Sequence, residues 1–592
     1  MKMISKNGFS VIVSLVFLSQ LFVLEKFRNG FLEYDLHFFC FLILLVFVIS
    51  GITSLLDKSK CRVTTIGIIP IVLIFFTTYI SLLWSNSDGR YIFFSWGLVA
   101  LFFVFKMSIE HFGILLAMFV LTFLITTIVD ITGVRFFSTV FFLKDNIKIN
   151  KGENANYYAS VIPLVVALLF EEKKYRGSKL FICVLIASCI TGIYIVIKSG
   201  ARIAILGMII GAVYVFFRNE RIKKEFNNIF GAIWRKRILL GSILIFSVCI
   251  GKFVYEKNPE SIKGRFLIYE VSASIIEQNP LFGIGPEGVK KRYNLFQSNY
   301  IKTHNLPMAK RQLADNSYFA FNEFISVAVE FGVIGLIIIC IGIYCILYLP
   351  KNHIEPRFQY IYDGAIGAVL AVLVCALFSY PLHSLSVLVN VVFYLAIIST
   401  NERKTFNCAL RQNIATFIFI LGTGICGIFS IKEFKRYTSL MNWEKAAHLA
   451  HVSRFNRSEK LYIDAHHELL NDGSFLYNYG AELFKSGRYN ESLSVLKRAT
   501  LTLCNTDLYI YLGDNYKMLG DFENAKHCYE IAEYIQPSKF SPKIRLLLLY
   551  QDFGQSKSAV EIAKEIREYP VKVPSSVVDG YKNYANEFLS GY

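Results

Sequence analysis

NPLFGIGPEG, at Asn279–Gly288, and NEFISVAVEFGVIG, at Asn322–Gly335, lie in and close the longest polar interval of this chain. The first is a turn, because Gly and Pro at such density set backbone conformation rather than fill a core. Between the two come Lys290, Lys291, Arg292, Lys302, Lys310 and Arg311. The second starts polar, at Asn322-Glu323, and becomes an apolar run at Phe324. Whether the interval is a surface loop of a soluble protein or a loop between membrane spans decides the fold, and the flanking sequence answers that.

Of 592 residues, 54% are hydrophobic and 53 are Phe. A soluble protein of this length has no interior large enough for that much apolar surface, so a multi-span membrane protein is expected. The formal net charge of +18 sits in short segments between apolar runs. That is a positive-inside pattern, not a nucleic-acid footprint, and no nucleic-acid partner is expected. The 12 cysteines include no CxxC pair, which argues against a zinc or redox site; no metal and no cofactor are expected. Cys504 and Cys528 read as small buried thiols. The N-terminus, Met1–Lys6 followed by an apolar run from Phe9 to Leu24, resembles a signal peptide. It has no small-x-small cleavage site, so it reads as an uncleaved first span.

Further apolar runs occupy 36–56, 66–83, 91–105, 112–129, 157–170, 180–198, 201–217, 238–254, 324–348, 363–380, 385–399 and 413–431. Each approaches the ~20 residues that a helix needs to cross the hydrocarbon layer. The fold class expected is therefore all-α: a polytopic transmembrane helical bundle of about 12–13 spans over residues 1–431. Lys58/Lys60/Arg62, Lys173/Lys174/Arg176/Lys179, Arg218 to Arg237, and Arg403/Lys404/Arg411 form basic short loops that thirteen spans place on one side, the cytoplasmic one. The large loop at about 255–323 and the C-terminus then lie outside.

After Ile431 the pattern changes. Tyr477, Gly480, Gly487, Ser492, Leu496 and Ala499 are echoed by Leu512, Gly513, Tyr516, Gly520, Ala525, Tyr529, Ala532 and Pro537. Gly480 and Gly513 are 33 residues apart, close to a 34-residue helical-hairpin period. Small residues let paired helices approach and the tyrosines fill between them. Residues 432–592 therefore resemble a tetratricopeptide array, an α-helical solenoid able to present a surface to a protein partner. An unrelated pair of helical hairpins is the plainer alternative.

Ionisable residues at span mouths are functional candidates. Arg202 lies in Ser199-Gly200-Ala201-Arg202 between two apolar runs; a snorkelling arginine at lipid headgroups is the plainer alternative. Arg265 lies in Lys263-Gly264-Arg265, at the start of an amphipathic helix that ends at Asn279-Pro280. A solvated surface cation is its plainer reading.

Together, SGARIA at 199–204, the Gly264-Arg265…Tyr269 segment, NPLFGIGP at 279–286 and NEFISVAVEFGVIG at 322–335 resemble the O-antigen ligase and polymerase superfamily, over roughly 150–400. The resemblance implies a membrane glycosyltransferase of surface polysaccharide or lipopolysaccharide biosynthesis in the cell envelope, set in a bacterial inner membrane. It would take a glycan from a polyprenyl-diphosphate donor and join it to a glycan, lipid or protein acceptor, with the loop and repeats in the periplasm. Arg202 and Arg265 match the family's paired diphosphate-holding arginines, and guanidinium groups bind phosphate oxygens bidentately while staying charged. Asn322 is expected to bind substrate.

One position departs from the pattern. Ligases of the family often carry His immediately before the loop-terminal Asn; here it is Phe321, which can neither take nor give a proton. Glu323 ranks first as the substitute base by its place in the motif, with His304, His383 and Glu330 as the others. The departure moves the expectation from a lipid A ligase toward a polymerase. A flippase or transporter of lipid-linked glycans would show matching halves, and a scaffold presenting the repeats would not need so many spans.

Overall fold

The computed structural model describes residues 16–17, 61–83, 89–108, 112–132, 151–170, 179–219, 259–348, 356–400, 405–408, 412–451 and 455–591. The apolar runs at 36–56 and 238–254, most of 9–24 and most of the basic short loops lie outside the described residues.

The described secondary structure is helical apart from one short ribbon. In the bundle, α1 is Thr65–Leu83, α2 Gly89–Ser108, α3 Phe112–Thr132, α4 Lys151–Leu169, α5 Lys179–Ser199 and α6 Arg202–Arg218. The polar interval supplies α7 (Pro259–Gln278), α8 (Gly288–His304) and the single turn α9 (Met308–Arg311). Three helices follow, α10 (Glu323–Tyr348), α11 (Pro356–Ala376) and α12 (Leu385–Ser399), with a 3₁₀ turn at Pro381–His383. Strands β1 (Cys61–Thr64) and β2 (Thr405–Cys408) pair antiparallel. The runs at 91–105 and 157–170, short by hydropathy, belong to helices of 20 and 19 residues.

Four described helices are long and apolar enough to cross a membrane: Gly113–Ile131, Phe181–Ser199, Glu323–Tyr348 and Phe358–Ala376. Shorter apolar helical stretches cover Pro70–Ser81, Phe94–Lys106 and Leu385–Ser399. The protein is a multi-pass membrane protein.

Small residues draw α4, α6 and α11 together. A Cβ on Gly211 would meet the Gly367 carbonyl at 2.5 Å and the Pro163 ring at 2.6 Å, and one on Gly207 would meet the Ala371 carbonyl at 2.6 Å. With little hydrophobic drive between helices in lipid, such close backbone approach supplies the attraction. α6 and α11 run antiparallel. Arg218, ending α6, pairs with Asp363 near the start of α11 at 3.0 Å, and Ile203, starting α6, accepts from the Cys375 thiol near the end of α11. Phe17 packs against Phe105, Phe119 and Phe393, so the first apolar run contributes to the same core.

β1 and β2 put the connections before α1 and after α12 at the Arg218 end of the bundle. The polar interval caps the opposite end. α13 (Gln412–His451) leaves from β2 and, at 40 residues, is ~60 Å long. It delivers Leu440 and Trp443 to the core of the C-terminal helices.

Those helices are α14 (Phe455–His466), α15 (Gly473–Lys485), α16 (Tyr489–Ala499), α17 (Thr506–Met518), α18 (Phe522–Ile535), α19 (Phe540–Asp552), α20 (Ser556–Glu568) and α21 (Ser576–Ser590). They sit on the polar interval. The buried side chains of Asn294 and Gln297 on α8 donate to the Cys504 carbonyl at 2.7 Å and the Ile535 carbonyl at 2.8 Å. Gln312 donates to the Pro570 carbonyl, and Lys572 donates back to that of Gln312.

Candidate active site

The two quoted motifs, apart in sequence, lock together. α10 is broken at Gly332, whose φ of 68° and ψ of −170° leave the helical range. The turn at Pro280–Gly285 lies against that break: Ile284 donates to the Val329 carbonyl (2.9 Å), Gly285 to that of Glu330 (3.0 Å), and Val333 to that of Pro280 (2.8 Å). A Cβ on Gly332 would sit 2.1 Å from the Leu281 oxygen. The Gly and Pro residues therefore shape the site. Glu330 is held by this clasp, and its Oε1 accepts from the Val289 amide in the first turn of α8 (3.3 Å). A carboxylate there complements the positive end of a helix, so Glu330 anchors α8.

At the head of α10, the Asn322 Oδ1 accepts from the amides of Phe324 (2.9 Å) and Ile325 (3.1 Å), an N-cap. Its Nδ2 donates to the Leu377 carbonyl (2.8 Å). Asn322, expected to contact substrate, thus has both polar side-chain atoms engaged by the protein: it starts α10 and ties it to the turn after α11. Phe321 sits at φ 51°, and its carbonyl accepts from the Tyr269 hydroxyl (3.3 Å).

Arg265 reaches this same turn. Its Nη1 donates to the Phe378 carbonyl (2.8 Å), and its guanidinium lies 5.1 Å from the Phe321 ring centroid. Burial pulls the guanidinium below its usual value, while Tyr269 and Tyr380 nearby act the other way. A partly desolvated, charged arginine is poised for an anion. The Phe321 ring thus serves as an aromatic platform for the arginine.

Arg202 is brought to the same end of the bundle by different means. Gly200, at φ 71°, ends α5; a left-handed glycine is a common helix stop. Ala201 donates to Ser199 Oγ, and Arg202 opens α6 beside Ile203, the neighbour of Cys375.

Glu323 and His383 form a pair at this end of the bundle. Glu323, with 8% of its side chain exposed, accepts at Oε1 from the Leu382 amide (2.8 Å) and lies 3.4 Å from His383 Nδ1. His383 closes the 3₁₀ turn, keeps 42% exposure, and meets the Phe319 ring edge-on at 5.1 Å. Phe319 stacks on Tyr380 at 4.1 Å. Burial opposes a charge on His383, but the hydrogen bond and charge of Glu323, with Glu330 behind it, outweigh this and hold its pKa above 6.5; Lys290 counteracts in part. His304 is elsewhere engaged: it stacks on Tyr300 at 4.1 Å and contacts the Tyr300 carbonyl and Thr303, all on its own helix.

Residues 187–340 match the O-antigen ligase family. The match runs from within α5 to within α10 and takes in Arg202, Arg265, Asn322 and Glu323, but not His383. No curated protein matches the chain. Similarity to this family points to a membrane glycosyltransferase-like enzyme and to glycan transfer in surface polysaccharide synthesis, with lipid-linked glycans and membrane lipids as its surroundings.

His383 was visible in sequence only as one of several candidate bases, and nothing local marks it as Glu323's partner. The aromatic pair Phe319–Tyr380 carried no sequence signal at all.

Proposed function

We propose that this chain transfers a glycan from a polyprenyl-diphosphate carrier to an acceptor hydroxyl, with His383 as general base, Glu323 as its orienting partner, and Arg265 and Arg202 on the diphosphate. The observation that carries this reading is the Glu323–His383 pair lying against the same short turn whose Phe378 carbonyl receives Arg265. The acceptor oxygen attacks the anomeric carbon with a lone pair. The bond from that carbon to the diphosphate oxygen breaks, its electron pair leaving on the phosphate, and the acceptor proton passes to His383. With Nδ1–H directed at Glu323, Nε2 is left as the basic nitrogen. The guanidinium groups offset charge that grows on the leaving group, an effect of ~3 kcal/mol for a well-placed donor.

The C-terminal helices are read as a tetratricopeptide-like array over 432–592, following a transfer domain over 1–431. This is supported by the hairpin order and by Gly480 and Gly513, whose Cβ positions fall 2.6 Å from Leu496 and 2.4 Å from Tyr529. The loop and the array are read as periplasmic, supported by their meeting at one end of the bundle. The departure at Phe321 favours a polymerase over a lipid A ligase.

The test uses the full-length protein in lipid nanodiscs with a carrier-linked glycan and its acceptor. His383→Gln should lower transfer by ~10²–10⁴-fold while donor binding persists; Arg265→Ala should lose both. Full transfer by both variants would reject the assignment.

A further inference from the structure

Residues 314–320 belong to no helix or strand. A segment without a hydrogen-bond ladder of its own keeps its place only through what it touches. From α8, Gln297 donates to the Asp315 carbonyl (3.1 Å), and Asn294 Oδ1 accepts from the Ser317 amide (2.9 Å). From the C-terminal helices, the Thr506 amide (3.1 Å) and hydroxyl (3.3 Å) donate to Asn316 Oδ1, and Asn316 Nδ2 donates to Gln536 Oε1 (3.5 Å). Thr506 is fully buried there. Tyr318 packs against the core of those helices, and its hydroxyl accepts from Asn505 Nδ2 (3.4 Å). The next residue faces the candidate site: Phe319 stacks on Tyr380 at 4.1 Å and meets the His383 ring at 5.1 Å.

Tyr318 and Phe319 are thus seated in two different units, and a single residue step of ~3.8 Å leaves no slack between them. We infer that the C-terminal helices act in the transfer reaction as a positioning element: Asn316 and Tyr318, seated in them, hold Phe319 against His383 so that the imidazole keeps its hydrogen bond to Glu323. This rests on the proposed transfer reaction and deepens it. At 3.4 Å that bond is long, so a small displacement of His383 breaks it. The charged groups facing His383 are Glu323 and Glu330 from α10 and Lys290 from α8, with the Tyr380 ring 6.2 Å away on its own turn. All of these lie outside the C-terminal helices. A change at the junction with those helices therefore reaches His383 by moving it, not by altering the charge around it.

The test is the pH profile of transfer by full-length protein in nanodiscs, with a carrier-linked glycan and its acceptor. The kcat/KM profile of the native chain should bend above pH 6.5, where His383 loses its proton. In Tyr318→Ala and Asn316→Ala, kcat should fall by up to ~10²-fold. Their bend should move down to 6.5 or lower, because the Glu323 bond that raises it is lost. Tyr318→Phe keeps the ring in the core and should restore the native bend. Lys543→Met strips the ion pairs with Glu533 and Glu565 from the core of the C-terminal helices; it should lower the thermal midpoint and leave the bend in place. Thermal melting identifies the folded variants, and Asn316→Ala carries the test if Tyr318→Ala does not fold. A folded Tyr318→Ala or Asn316→Ala with the native bend overturns the positioning role while leaving the transfer reaction standing, as does a Lys543→Met chain whose bend moves equally far. A His383→Gln chain that transfers at the native rate overturns the transfer reading and the positioning role with it.

Discussion

Gly332→Ala is the most informative single change, because it separates the two motifs without touching a charged or titratable group. The new Cβ would fall 2.1 Å from the Leu281 oxygen and 2.3 Å from its carbonyl carbon, and backbone cannot swing aside as a side-chain tip can. At φ 68° and ψ −170° a non-glycine residue is strained by ~1–3 kcal/mol. Relief requires the Pro280–Gly285 turn to lift, which releases three backbone hydrogen bonds of ~0.5–1.5 kcal/mol each. Those bonds hold the turn in the native chain too, so the balance shifts by the strain of the closed form alone, and ~1–3 kcal/mol makes the open turn ~5- to ~140-fold more populated. Amide hydrogen exchange in nanodiscs reads this directly: amides 284, 285 and 333 should lose protection. Transfer should fall with it, since the lifted turn loosens α8 from Glu330. Gly113→Ala, whose Cβ meets nothing within 4 Å, should change neither. Unchanged protection in Gly332→Ala would refute the coupling of the two motifs.

Three further outcomes follow from the same geometry. The raised pKa of His383 means its neutral, proton-accepting form dominates only above that value, so kcat/KM should climb as pH rises past 6.5 and level off above it. The pair's stabilising contribution runs the opposite way, complete below 6.5 and lost as pH rises through the raised value; a transfer rate that is flat across this window would count against His383. Gln297→Leu removes a side chain that donates to the Ile535 and Asp315 carbonyls and accepts from Tyr293. Each buried group left unpaired costs ~1–3 kcal/mol, so the thermal midpoint should drop and transfer should weaken without any change at the reacting residues. Gly513→Ala places a Cβ 2.4 Å from Tyr529, whose hydroxyl is fixed by Asp514 at 2.7 Å; this overpacking should cost ~1–3 kcal/mol in thermal unfolding.

The membrane class and the helical elements were legible because hydropathy is a local property. Ten of the apolar runs reappear as described helices, and the Gly and Pro turn is a turn for the reason its composition implies. The roles of Asn322 and Glu330 were less legible. Asn322 reads as a site residue by motif, yet its amide caps α10 and holds Leu377. Glu330 reads as a possible base, yet it accepts from the Val289 amide. A polar side chain's role depends on which partners the fold brings within hydrogen-bond reach, and those partners are up to 55 residues away along the chain.

By itself the sequence determined a greasy multi-helix chain, a basic polar interval between two motifs, a helical repeat-like tail and a pair of arginines at span mouths. Tertiary structure alone decided that the two motifs clasp each other and that the tail sits on the interval through buried amides. It alone placed His383 against Glu323, 60 residues earlier. The reason is physical. Hydropathy and turn chemistry act over a few neighbouring residues and are written in order, whereas a hydrogen-bonded pair is a distance between side chains, which exists only once the helices carrying them have packed.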